Sequence, residues 1–360
     1  MVFESEKIIY YIIVIIFTYY IVRQYAMVEV ANPDRVNFSK KMLGSGIAVL
    51  LTLLIGLMPL TGHYTADRGN MVEWYYAFKG SKFAFSWEAT NYLFDNAYDY
   101  VVSHVLPVNY LFLPVSAIYF GCMLWACNKF FPKDGLIAFI VYLGAFSSYS
   151  YGVNGAKAGA AASLFLIAMA YRENWKMAAL FCFLSLGFHH SMAAPIVVFV
   201  MTCFVKDRKY YLYVWLASCV IAALGITYFQ EFFSSFTDDS GANYLKIKTG
   251  IKYVSGFRPD FILYSAVPIY LGYYFHKNYD IESDTYDFLL NLYTGTNDIF
   301  ILCSYGTYIN RIAYLSWLMY PIVLIYPFLK FDLGDNHYRY LKYAVYGHLG
   351  FTLFMWAIGK

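Results

Sequence analysis

The sequence predicts an all-α polytopic membrane protein of about twelve transmembrane or half-spanning helices, with a large outer loop of amphipathic helices. Three observations lead there. First, the 360 residues are 60% hydrophobic and only 14% charged, with mean hydropathy +0.49, whereas a soluble domain carries about 25% charged residues. Second, apolar segments recur along the chain at lengths near the ~20 residues that cross ~30 Å of hydrocarbon. Third, Lys and Arg concentrate in alternate loops, as the orientation rule for membrane proteins requires. The net charge of +3 gives no support for nucleic-acid binding.

Taken in order, the apolar segments are 8–22, 42–60, 108–127, 135–151, 157–171, 177–189, 191–205, 210–229, 259–275, 286–306, 312–329 and 340–358. The first lacks a small-residue cleavage site and reads as a retained span rather than a signal peptide. Arg23, Arg35, Lys40 and Lys41 follow it. Later loops on the same side carry Lys129, Lys133, Arg172, Lys176, Lys206, Arg208, Lys209, Lys277, Lys330, Arg339 and Lys342, fifteen of the 26 Lys and Arg in all. That side is assigned to the cytoplasm, which puts both termini outside. Reading 177–205 as one helix would place Lys206, Arg208 and Lys209 outside, against the rule. Two short helices meeting at His189 and His190 restore the parity, with irregular backbone shielded by protein or facing a wet cavity.

The chain reads as one integral membrane domain over 1–360, without internal repeats, and two long loops lie on the outer side, 61–107 and 230–258. The first mixes charges with aromatics at spacings that suit amphipathic helices lying at the membrane interface. Cysteines 122, 127, 182, 203, 219 and 303 all fall in apolar segments and none forms a CxxC pair, so they read as small apolar filler. Neither a metal nor a cofactor is expected. The outer cations are the informative charges. Arg68, Lys157, Arg258 and Arg311 sit at outer ends of helices, where the cytoplasmic bias does not explain them. Converging cations suit an anionic ligand such as a pyrophosphate, and guanidinium binds phosphate oxygens bidentately.

The order of motifs resembles the EpsG/Wzy-type polysaccharide polymerases. An outer loop holds HYTADRGNMVEWYY and then SWEATNYLF. The helix NGAKAGAAASLFL follows, beginning at Asn154, then a helix ending FHHS. GFRPDFILYSAVPIY and YINRIAYLSWLMYPIVL complete the set, and together the motifs span roughly residues 40–330. One position departs from the pattern: the family carries Arg where this chain has Lys157, which keeps the charge and loses the bidentate fork. The resemblance implies an integral glycosyltransferase of the GT-C type in the bacterial plasma membrane, acting on its outer, periplasmic face. Such an enzyme is metal-independent and inverting. It joins undecaprenyl-pyrophosphate-linked oligosaccharide repeat units into a surface polysaccharide such as O-antigen or exopolysaccharide. A Wzz-like chain-length regulator, a flippase and membrane lipid are its candidate partners.

Each candidate residue has a plainer reading beside the functional one. Lys157 is either a lysine snorkelling at the interface or a pyrophosphate contact favoured by its Gly and Ala neighbours. His189 and His190 are either helix-end histidines satisfied by backbone groups or substrate contacts, and adjacent histidines point apart on a helix, which disfavours a metal. Arg258 and Arg311 are either interface anchors or ligands for the donor, and the Tyr residues around Arg311 favour binding. Among the outer acids, Glu88 is the first candidate for a general base, because Trp87 flanks it, Asn91 and Tyr92 follow it, and desolvation in an aromatic neighbourhood raises a carboxylate pKa. Asp67 and His190 are the other catalytic candidates, and Arg68, Lys157, His189, Arg258, Arg311 and Asn154 the binding ones. Three competitors remain. A lipid-linked-glycan flippase would show repeated halves, and a membrane acyltransferase would gather its ionisable groups on the cytoplasmic side. An O-antigen-ligase-like transferase shares the chemistry and is separated least.

Overall fold

A computed structural model of the chain describes residues 2–25, 33–60, 66–87, 89–234, 257–306 and 309–358. Among them there is no strand. The helices are α1 (Val2–Tyr25), α2 (Pro33–Gly56), α3 (Ala66–Phe78), α4 (Asp99–Val105), α5 (Leu113–Phe130), α6 (Gly135–Leu143), α7 (Ser148–Val153), α8 (Ala156–Ala170) and α9 (Trp175–Phe188). They continue as α10 (Ala193–Phe204), α11 (Arg208–Ala223), α12 (Tyr228–Ser234), α13 (Pro259–Tyr279), α14 (Asp284–Leu302), α15 (Ile309–Trp317), α16 (Tyr320–Lys330) and α17 (His337–Ala357). The all-α expectation therefore holds. Three helical stretches among the described residues, Ser5–Gln24, Val108–Phe130 and Ile309–Lys330, are long and apolar enough to cross a bilayer. Shorter apolar helices occupy Ala156–Ala170, Trp175–Phe188 and His190–Phe204.

The chain forms two compact units, Met1–Met192 with Phe328–Lys360, and Ala193–Pro327. In the first, α8 packs between α5 and α9. Its run of small residues makes this possible: Ala160, Ala161 and Ala162 are all buried, and a Cβ on Gly159 would lie 2.5 Å from the Tyr151 carbonyl oxygen of α7. In the second unit, α14 is the central helix, with α10, α11, α13 and α15 against it. Local chemistry starts several of these elements. Asn174, Asp207 and Ser283 precede α9, α11 and α14, and each side chain accepts a backbone N–H from the first turn.

The split of 177–205 is present. α9 stops at Phe188, His189 is extended at φ −155° and ψ 119°, and a tight turn over His190–Met192 leads into α10. Pro195 supplies the physical reason. In a continuous helix its ring would clash with the carbonyl of residue 191 and remove a hydrogen bond. In the first turn of a new helix its missing N–H costs nothing.

The outer-loop segment 66–106 contains α3 and α4, joined by an irregular stretch and a wide helical turn over Phe94–Tyr98. Met71 and Tyr75 of α3, Phe94, Val102 of α4 and Leu111, Phe112 and Val115 around the start of α5 form one apolar cluster with Ala156 and Ala160 of α8. At about 25 cal/mol per Å² of buried apolar surface, such a cluster holds the loop segment down by several kcal/mol. It also sets the loop's polar residues against the beginning of α8.

Candidate functional site

Lys157 lies in the first turn of α8, where the helix dipole disfavours a cation. An anion offsets this: Lys157 Nζ donates to Asp95 Oδ1 at 3.1 Å, with both side chains about a quarter to a third exposed (30% and 26%). The ammonium also stands 5.2 Å from the centre of the Phe94 ring. Asp95 belongs to the wide turn 94–98, a geometry that recurs at functional sites. Its other oxygen, Oδ2, accepts from the Asn91 side-chain amide at 3.1 Å and from the Asn91 backbone N–H at 3.2 Å. Asn91 Oδ1 in turn accepts the His190 backbone N–H at 3.0 Å and lies 3.2 Å from His190 Nδ1. Lys157, Asp95, Asn91 and His190 thus form one continuous polar chain across three elements.

Gly187 makes that chain possible. The Leu93 backbone N–H donates to the Gly187 carbonyl at 2.9 Å, and a Cβ at position 187 would lie 2.4 Å from a Leu93 methyl carbon. Only a residue without a side chain lets the loop sit this closely on the end of α9. Asn96 ties the preceding stretch to the same turn, accepting from the Ser86 N–H at 3.0 Å and donating to the Ser86 and Tyr92 carbonyls.

The two histidines stack, with ring centres 5.0 Å apart and planes 16° from parallel. His189 Nδ1 accepts the Ser191 backbone N–H at 3.3 Å and lies 2.7 Å from Ser191 Oγ. Both rings are half-buried. Next to them, aromatics run outward from α9: Phe183 is 5.6 Å from Tyr92, Tyr92 is 5.4 Å from Trp87, and Trp87 is 4.8 Å from Phe85. Trp87 is 71% exposed, so an unusually large apolar face is offered at the rim of the polar chain.

Asp99, one turn beyond Asp95, is almost wholly buried, and its Oδ1 has no hydrogen-bond partner among the described residues. Burial pushes its carboxyl up to about 7; the Lys157 charge opposes that rise and Asp95 adds to it. A group titrating near neutrality therefore lies beside the ion pair.

The remaining candidates are placed differently. Arg68 is completely buried. It donates to the Ile55 and Met58 carbonyls at the end of α2, each at 3.2 Å, and lies 3.7 Å over the Phe112 ring. A guanidinium there satisfies helix-end carbonyls, and burial lowers its pKa to about 10, so it stays charged. Asn154 is exposed in the turn between α7 and α8, three residues before Lys157. In the second unit, Arg258 immediately precedes α13 and forms a bidentate pair with Asp260 at 2.8 and 2.6 Å, 3.8 Å over Phe261. Arg311 is exposed in the first turn of α15. Glu88 and the side chain of Asp67 lie outside the described residues. Of the candidates, then, Lys157 and His190 are joined in one chain, with His189 stacked on it.

Asp95 and Asn91 are the residues sequence reasoning left out of the site. Their signal was the spacing: Asn91, Asp95 and Asp99 recur every fourth residue through an aromatic-rich run, a polar stripe on one helical face. Among the described residues, no three His, Cys, Asp or Glu side chains gather as metal ligands would.

The model of the EpsG family matches residues 46–360. No curated protein and no solved structure matches the chain.

Proposed function

We propose that this chain, which belongs to the EpsG family, is a polysaccharide polymerase that lengthens a glycan carried on a membrane lipid. The carrier in this reading is undecaprenyl pyrophosphate, and the reaction is a metal-independent, inverting transfer on the outer face of the plasma membrane. The fold in this reading is GT-C-like, with about twelve full or half-crossing helices. The observation that carries the reading is the Lys157–Asp95–Asn91–His190 chain, set at helix ends beside exposed aromatic rings.

Each part has a chemical task. The transfer needs a base for the acceptor hydroxyl and positive charge for the departing pyrophosphate. His190 is the base. Lys157, at the dipole-positive end of α8, supplies charge to the pyrophosphate. Arg311, in the first turn of α15, is the second unit's own candidate for an anion contact. Trp87 and Tyr92 offer flat faces on which sugar rings stack. Glu88 and Asp67 remain the carboxylate candidates for the same base role, and Asn154 is a candidate for holding the donor.

The test is reconstitution of the full chain in a bilayer with one defined lipid-linked repeat unit. A ladder of lengthened glycans on the lipid carrier is expected. Movement of the unit across the bilayer without lengthening would identify a flippase instead. Transfer only to an added non-lipid-linked acceptor would identify a ligase.

A further inference from the structure

We propose that the aromatic strip formed by Phe85, Trp87, Tyr92 and Phe183 binds carbohydrate along its length. It takes several sugars at once, so a long glycan is held more tightly than a single repeat unit. That the bound chain is the growing polymer rests on the polymerase reading; that the strip takes carbohydrate does not.

The rings follow one another closely. Centres lie 4.8 Å apart from Phe85 to Trp87, 5.4 Å on to Tyr92 and 5.6 Å on to Phe183. Their planes meet at 74°, 47° and 46°, so the rings do not lie flat on one another and hide their faces. Phe85, Trp87 and Phe183 are all exposed. The apolar C–H face of a sugar lies flat on such a ring and leaves water in doing so. Four rings in series offer more faces than one sugar can cover.

Hydrogen bonds fix the strip from behind. Asn96 holds Ser86, between Phe85 and Trp87, accepting its N–H at 3.0 Å and donating to its carbonyl at 2.8 Å. The Tyr92 hydroxyl donates to the Phe183 carbonyl of α9 at 3.3 Å. Upstream, Phe83 meets Tyr100 edge-on at 5.0 Å, and His104 Nε2 stands 3.2 Å from the Ser81 carbonyl. The rings are thus ordered before a ligand arrives, which lowers the entropy lost on binding.

Lipid and sugar are the two chemistries that suit exposed rings, and the backbone beneath decides between them. Among the described residues, the peptide groups of residues 82–85 make no hydrogen bond within the protein. Hydrocarbon would leave them without partners, and irregular backbone does not face lipid for that reason. Water satisfies them, and so do sugar hydroxyls, which both donate and accept. A glycan therefore matches both features, with ring faces for its C–H surfaces and bare peptide groups for its hydroxyls. The strip also leads to the proposed site of transfer. Tyr92 adjoins Asn91, the residue that joins Asp95 to His190, so a glycan lying on the rings reaches the polar chain.

The experiment is calorimetric titration of the full chain in lipid nanodiscs with lipid-free glycan. The glycan is released by mild acid from the surface polysaccharide of the cells that make the protein, then sized into single and multiple repeat units. Saturable binding is expected, at least tenfold tighter for the multiple units. Trp87→Leu and Phe85→Leu keep apolar bulk and remove a flat face, and each should weaken binding of the multiple units at least fivefold. Wild-type protein that binds neither glycan, or binds both lengths equally, would overturn the proposal without recourse to any variant. So would leucine variants of undiminished affinity. Trp87 fluorescence, taken as the difference between wild type and Trp87→Leu, should resist quenching by lipids brominated on their acyl chains. Strong quenching would give the strip to the bilayer instead. Trp87→Cys chains cross-linked to one another, with no such dimer in wild type, would give it to a second copy. Absence of any glycan ladder from wild-type protein that binds with this length preference would overturn the polymerase reading alone.

Discussion

Two polar assemblies in this chain are each organised around an asparagine amide and differ in closure. In the second unit, Asn297 of α14 donates both amide hydrogens, to Ser265 Oγ at 3.0 Å and Ser316 Oγ at 2.9 Å, and accepts from Trp215 Nε1 at 2.9 Å. Trp317 Nε1 adds a bond to Ser265 Oγ at 2.8 Å. Every member is neutral, and Asn297 itself is fully buried. In the first unit, the Asn91 amide is just as fully engaged, but its partners are a carboxylate and a histidine, and the chain ends in a partly exposed lysine. The first kind of assembly joins helices and has no vacant role for a ligand. The second keeps charge and a titratable ring at helix ends within reach of solvent. Closure, rather than the mere burial of polar groups, separates scaffold from chemistry here.

The largest expected effect tests whether charge is confined to the first assembly. Asp99 titrates near 7 instead of the usual carboxylate range, so the folded chain binds a proton more tightly than the unfolded one. With a raised folded pKa, the favourable contribution is complete below about pH 4 and is lost as the pH climbs to about 7. The difference is on the order of 4 kcal/mol for a shift of roughly three units. Asp99→Asn removes it. Thermal unfolding in detergent should therefore show the variant gaining on wild type steadily between those pH values. A constant difference across that range would mean that Asp99 is solvated.

Next in size is Asn297→Leu. It strands the Trp215 N–H and removes the shared donor of two serines, a cost of about 3 kcal/mol at 1–3 kcal/mol for each unsatisfied buried group. Melting should fall and accumulation drop, while turnover per folded molecule stays at the wild-type level. A variant that folds normally and loses turnover would erase the distinction drawn between the two assemblies.

Much of this arrangement is written locally in the chain, and the rest is not. The helix break at His189 was legible because loop charges demanded it, and its cause, Pro195, acts within four residues. Helical class followed from composition together with the length of the apolar segments. The partner of Lys157 was not legible, because Asp95 is 62 positions away and His190 meets Asn91 across 99. Arg68 shows the same limit. Its charge and loop position suggested a ligand, yet the carbonyls it meets are those of Ile55 and Met58, which only the packing of α3 on the end of α2 brings near. The polar stripe 91–95–99 was visible at helical spacing; which helix end it faced was a matter of tertiary structure.

Lys157→Met comes next and probes the charged end of the open assembly. The pair it breaks is partly exposed, so stability should change by less than about 1 kcal/mol. Turnover should fall about a hundredfold, some 2.7 kcal/mol of barrier, because the pyrophosphate loses a cation and Asp95 is left unneutralised beside Asn91. Lys157→Arg keeps the charge and restores the residue type of the family pattern, and should stay within a few fold of wild type. Glycan ladders timed at equal protein would decide it: wild-type rates from Lys157→Met would make the lysine an interface anchor.

The smallest effect concerns Arg311 of the second unit. It is exposed in the first turn of α15, where the helix dipole disfavours a cation. An anchor would gain little from that placement, whereas a pyrophosphate would meet both the guanidinium and the dipole-positive helix end. Arg311→Lys preserves the charge and should insert normally, yet it loses planar bidentate contact. Polymerisation is expected to fall at least tenfold, about 1.4 kcal/mol of lost transition-state stabilisation, with single repeat units accumulating on their carrier. A full-length ladder at the wild-type rate would return Arg311 to the anchoring residues and leave Lys157 as the cation on which the pyrophosphate reading stands.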